Sequence, residues 1–152
     1  MSLGDSAVGN FTIDFYEDEN GSSPVDAWLS RLTPIKQRAV AAALQYVLEV
    51  EGPGVCASPL GKRVAQGIFE LRISHTEEQL RGMMGDRTPP GHKVNPERML
   101  LRIFCHAHGD HIVLLLAAYD KAEHPQSNYQ QRQIEVAKKR LRDFQNRQKG
   151  GR

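Results

Sequence analysis

Two arginines, each in a short strand-like segment, break an otherwise apolar alternation on the same side. In Ile68-Phe69-Glu70-Leu71-Arg72-Ile73 the period of two places Phe69, Leu71 and Ile73 on one face and Ile68, Glu70 and Arg72 on the other. Leu100-Leu101-Arg102-Ile103-Phe104-Cys105 repeats the pattern, with Leu101, Ile103 and Cys105 opposite Arg102. If the segments are neighbours, the two guanidinium groups share one open sheet face. A guanidinium keeps its charge, and its planar fork matches two phosphate oxygens, so the chemistry such a pair offers is holding a phosphate. A third segment, Ile112 to Ala118, is apolar without alternation, as a strand covered on both faces should be, and ends in Tyr119-Asp120-Lys121.

The rest of the chain must position these strands. Phe11 to Tyr16 alternates well enough for a first strand. Pro24, with Ser23 before it, opens a short helix whose apolar side is Trp28, Leu29 and Leu32. A second helix is predicted from Pro34 to Glu51, with Ile35, Ala39, Ala42, Ala43, Tyr46, Val47 and Val50 on one stripe and Gly52-Pro53-Gly54 as its stop. Pro59 to Gln66 reads as a connector, and His75 to Glu97, rich in Gly and Pro, as a long inserted loop without structure of its own. His108-Gly109-Asp110 has the composition of a hairpin turn. The last element is a helix from Tyr129 to Asn146 with Ile134, Ala137, Leu141 and Phe144 on its apolar stripe. Residues 1–10 are expected to be disordered and 148–152 a frayed tail, leaving 11–147 as one domain.

With 152 residues the chain can bury a core without disulfides or a metal. Cys56 and Cys105 are far apart in sequence, and the pattern puts Cys105 on the core side, which favours a buried free thiol. No apolar run reaches the ~20 residues of a membrane span and no secretory pattern opens the chain, so a cytoplasmic location is expected. Charge is divided unevenly: residues 1–57 carry three Lys and Arg against eight Asp and Glu, and residues 58–152 seventeen against ten. The basic half suits a polyanion such as RNA, or serves only solubility.

Taken in order, Gly67-Ile68-Phe69-Glu70-Leu71-Arg72, Leu101-Arg102-Ile103-Phe104, Ile112-Val113-Leu114-Leu115 and Ile134-Glu135-Val136-Ala137-Lys138-Lys139-Arg140-Leu141 resemble the RelE/ParE superfamily of toxins from bacterial toxin–antitoxin systems, in its phage-derived, HigB-like branch. The resemblance spans about Phe11 to Phe144. It implies a compact α+β domain in which an antiparallel sheet is packed by N-terminal helices and a C-terminal helix. It also implies a ribosome-dependent messenger-RNA endoribonuclease that needs no metal or other cofactor. The partners it implies are the ribosome, messenger RNA and a cognate antitoxin, often a helix-turn-helix protein, with no membrane involved.

By position, the resemblance makes Arg72 and Arg102 the catalytic strand arginines and Lys121 the survivor of a basic segment after the last strand. Tyr119-Asp120-Lys121-Ala122-Glu123-His124-Pro125 departs from the lysine-rich pattern of the branch by including two acids. Attack by the RNA 2′-hydroxyl requires a proton acceptor, stabilisation of the crowded phosphorane and a donor for the leaving 5′-oxygen. Arginine meets the second need. Lys121, Tyr119 and His124 are candidates for proton transfer, Tyr119 also for base stacking. The bland alternatives are an aromatic closing the sheet edge for Tyr119, a loop residue for His124, and ion pairs with Glu70 or a helix carboxylate for the arginines. Lys62, Arg63, Arg132, Lys138, Lys139 and Arg142 are the candidate RNA contacts, the helical ones alternatively a solvated face. A ParE-like DNA gyrase inhibitor, or a decayed toxin fold acting only by binding, are the competing functions.

One motif points elsewhere. His106-Ala107-His108-Gly109-Asp110-His111 spells the His-x-His-x-Asp-His zinc signature of the metallo-β-lactamase superfamily. That fold needs a larger sandwich and further downstream ligands, whereas here only His124 follows. Strand alternation and a hairpin turn would also scatter the ligands that zinc needs converged, so no metal site is expected.

Overall fold

The sheet is built on the Arg72 and Arg102 segments, which do lie side by side. The computed structural model describes residues 10–76, 78–79 and 98–150. Strands β1 (Thr12–Phe15), β2 (Gly61–Ala65), β3 (Ile68–Ile73), β4 (Leu101–His108) and β5 (Ile112–Asp120) form one sheet in the order β1-β5-β4-β3-β2. Neighbours from β5 to β2 are antiparallel, and β1 joins β5 in parallel. Helices α1 (Pro24–Ser30) and α2 (Pro34–Ala43) supply apolar side chains to one face, and α3 (Ser127–Gly150) to the other. The chain is thus an α+β fold, its sheet packed by N-terminal helices and a C-terminal helix. Among the described residues no helix is long and apolar enough to cross a membrane.

The alternation does what it predicts. Phe69, Leu71, Ile73, Leu101, Ile103 and Cys105 join Val40, Leu48 and Val55 in the core under α1 and α2. Ile68 and Phe104 face α3 with Leu114, Leu116, Ile134 and Leu141. The arginine face is therefore not open, as expected from sequence, but covered by the last helix. Cys105 is buried and free, and burial pushes its thiol pKa far up.

Several boundaries move. Residues 59–66 are not merely a connector, since Gly61–Ala65 is an edge strand. After α2 the helix loosens into a π turn over Leu44–Leu48 before a last α turn, Glu49–Glu51. The wider turn rotates the apolar stripe, burying Leu48 and leaving Tyr46 and Val50 at 59% and 42% exposure. Helix α3 continues through Gln148 to Gly150, where a frayed tail was expected. The expected loop over 75–97 lies largely outside the described residues, as do residues 1–9; Thr76 and Arg98 form an isolated bridge across the ends of that loop.

One irregularity decides which side chains face α3. The β4–β5 register shifts between Phe104↔Ala117 and Cys105↔Leu115, so Leu116 is an extra residue in β5. Leu116 and Ala117 both pack toward α3, and the bulge carries Tyr119 to the α3 side and Asp120 away from it. Arg140 of α3 donates to the bulged carbonyl of Leu116 at 2.8 Å.

Candidate active site

Arg72, Arg102 and Tyr119 form a row across three adjacent strands. Arg72 is the register partner of Arg102, and Arg102 of Tyr119. Like charges directly opposite on antiparallel strands repel, so the arrangement needs a counter-charge. Glu70 supplies it. Two residues before Arg72 and therefore on the same face, its carboxylate is fully buried. Oε1 accepts from Arg72 Nε at 2.9 Å, and Oε2 lies 3.9 Å from Arg102 Nε and accepts from Gln130 Nε2 of α3 at 2.7 Å. Arg102 also donates to the Leu101 carbonyl at 3.1 Å.

One carboxylate between two guanidinium groups leaves a positive charge over. Arg102 is 9% exposed and its pKa is lowered, first by burial and then by Arg72, with Glu70 opposing. Arg72 is the accessible member, with a third of its side chain in solvent. The Tyr119 hydroxyl is buried without a hydrogen-bond partner, and burial together with Glu70 raises its pKa. At neutral pH it is a proton donor rather than an acceptor.

An aromatic train leads from the row to the surface. Tyr119 meets Tyr129 with ring centroids 5.2 Å apart, and His124 lies flat on Tyr129 at 4.0 Å and 5°. Arg132 caps the same tyrosine, its guanidinium carbon 5.4 Å from the ring centre. His124 is thus an oriented ring, not a loose loop residue. Tyr129 lies over Tyr119, so a ligand reaches the buried hydroxyl only when that ring moves.

Asp120 takes no part in the row. The bulge turns it to the opposite face, where Lys36 of α2 pairs with it at 2.6 Å and the Ala122 amide donates to its other oxygen. The acid that departs from the lysine-rich pattern is therefore tied to the N-terminal helices. Lys121 is half-buried just beyond β5, its amide bonded to the Leu100 carbonyl.

The six residues expected to contact RNA divide. Lys62 is the register partner of Glu70 on the exposed edge strand, whereas Arg63 pairs with Phe69 and so belongs to the other face. Lys138 and Arg142 line a cleft farther along α3, and Lys139 is exposed. In the zinc-like motif, His106 and His108 stack under α3, while His111 pairs with Asp110 in the turn. Among the described residues no group of three or more His, Cys, Asp or Glu is placed to hold a metal.

Comparison with models of known families, with curated proteins and with solved structures returned no match. The site therefore stands on its own geometry. Sequence reasoning named Glu70 only as a pairing partner; its position two residues from Arg72 was the available signal for its shared role. For Gln130, sixty residues away, there was none.

Proposed function

We propose that the chain is a metal-independent endoribonuclease, the toxin of a toxin–antitoxin pair, acting on messenger RNA in the ribosome. The observation that carries this reading is the Arg72–Arg102–Tyr119 row with its single shared carboxylate. Two guanidinium forks and a phenol, carrying net positive charge, suit a phosphate that gains negative charge in the transition state. The 2′-oxygen attacks the phosphorus while the bond to the 5′-oxygen breaks, leaving a 2′,3′-cyclic phosphate and a free 5′-hydroxyl. Arg72 and Arg102 hold the phosphorane oxygens. Tyr119, protonated at neutral pH, donates toward the departing 5′-oxygen once Tyr129 swings aside. His124 is the acceptor for the 2′-hydroxyl proton. The cognate antitoxin belongs to the same reading, on the sequence resemblance.

A specific observation favours a second reading. Glu70 occupies Arg72 and borders Arg102, as it would in a protein that holds phosphates without cutting them.

Mapping RNA 5′ ends in a purified translation reaction tests both, with wild type, Arg102→Ala and naked messenger RNA in parallel. Cuts within translated codons that vanish on naked RNA and fall about 10²–10³-fold in Arg102→Ala are the expected result. Absence of new ends with folded protein and active ribosomes would sink the nuclease and leave the binding protein.

A further inference from the structure

At the far end of β4 from Arg102, roughly 13 Å away at the usual rise per strand residue, the sheet and the C-terminal half of α3 part to form a cleft. Two adjoining openings of about 560 and 530 Å³ share His106, Arg142 and Gln145. No carboxylate lines either one, while Lys138, Arg142 and Lys149 do. The floor of the first is apolar, with Ile68 and Leu141. Its wall is a fixed ring: His106 Nδ1 lies 2.6 Å from the Gly67 carbonyl, which can only accept, so Nδ1–H donates and the imidazole is held in place. Gly67 makes this turn at φ 76°, a conformation that L side chains rarely adopt. His108 lies parallel to His106 at 9°, centroids 5.8 Å apart, and Phe144 tilts onto it at 4.9 Å.

We propose that this cleft binds one nucleotide of single-stranded RNA, its base against the His106 imidazole and its phosphate against Lys138 and Arg142. Oriented rings over an apolar floor with cations at the rim are the parts a single-stranded nucleic-acid site needs. An acidic peptide would use the cations and leave the rings without a role. That the nucleic acid is RNA rests on the function proposed above. The cleft would be a second hold on the strand whose phosphate lies at the arginine row, under the same helix.

The test is fluorescence anisotropy with a 5′-labelled 2′-O-methyl RNA heptamer, which lacks the attacking hydroxyl, without ribosomes and across a salt series. Wild type is expected to bind. Lys138→Ala and Arg142→Ala should each weaken binding and lower the slope of log affinity against log salt by about 0.7. His106→Ala should weaken it about tenfold with the slope unchanged, since a neutral stacking ring is lost. Because His106 also holds Gly67, its unfolding midpoint is measured alongside, and exposed Arg142 carries the test if that variant is unstable. The proposal is overturned if wild type does not bind, if the Arg142 variant binds as wild type does, or if a glutamate heptapeptide competes as well as RNA. A wild type that cuts translated messages but ignores the heptamer overturns the cleft alone. One that binds through these residues yet never cuts overturns only the nuclease.

Discussion

Gln130 donates to Oε2 of Glu70 over 2.7 Å, joining the first turns of α3 to the middle of β3 through a carboxylate shared by both arginines. The consequence is that the row and the helix covering it depend on one buried charge. Glu70→Gln removes that charge and leaves Arg102 buried beside Arg72, a loss expected to cost about 3 kcal/mol in urea unfolding. Adding Arg102→Met should restore much of it, because an apolar side chain of similar length needs no counter-charge. A Glu70→Gln protein as stable as wild type would show that the carboxylate does not hold the arginines.

Tyr119→Phe separates structure from chemistry. The hydroxyl is buried without a partner, so its removal should change unfolding free energy by less than about 1 kcal/mol, with either sign. If the phenol donates the leaving-group proton, cleavage of translated messenger RNA should fall about 10²-fold in the same variant. Unchanged cleavage would return Tyr119 to the role of an aromatic filling the sheet edge.

His108 sets an acid limit on stability. Burial first and His106 second lower its pKa below the ordinary 6.5, with Asp14 pulling weakly the other way. The folded state therefore binds this proton less readily than the unfolded one. The contribution is present above about pH 6.5 and fades as pH falls through the lowered folded value. Urea midpoints at pH 7.5 and pH 5 should differ less in His108→Gln than in wild type; an equal difference would mean that other groups set the acid limb.

The π turn makes a contrast within three residues. Leu48 is fully buried and Val50 is not, so Leu48→Ala should cost about 2–5 kcal/mol and Val50→Ala less than about 0.5 kcal/mol. A regular helix carrying the stripe read from sequence would bury Val50 and reduce or reverse that contrast. Paired chemical denaturation curves decide it.

What could be read from sequence was what neighbouring residues decide. Period-two alternation placed Phe69, Leu71, Ile103 and Cys105 in one core and both arginines opposite, because strand geometry fixes that sorting locally. The edge strand was missed because Gly61-Lys62-Arg63 has the charge that exposed edges carry and little of the apolar pattern that marks a strand. The helix stripe failed beyond Ala43 because one wide turn changes the phase of everything after it. The site was half legible. Arg72 and Arg102 follow from alternation, but Gln130 reaches Glu70 across sixty residues and Lys36 reaches Asp120 across eighty-four. No local pattern reports either. His124 was likewise illegible as an oriented ring until Tyr129 lay beneath it.

The extra residue at Leu116 has a consequence in genetic terms. Loss of a single codon there would straighten β5 and exchange the faces of the two residues after Ala118: Asp120 would meet the guanidinium pair and Tyr119 would meet Lys36. One in-frame deletion, with every side chain in the row still encoded, would then replace a phenol beside the arginines by a second carboxylate and cancel their surplus charge. The reading frame of this strand, as much as the identity of its residues, is what natural selection would have to preserve.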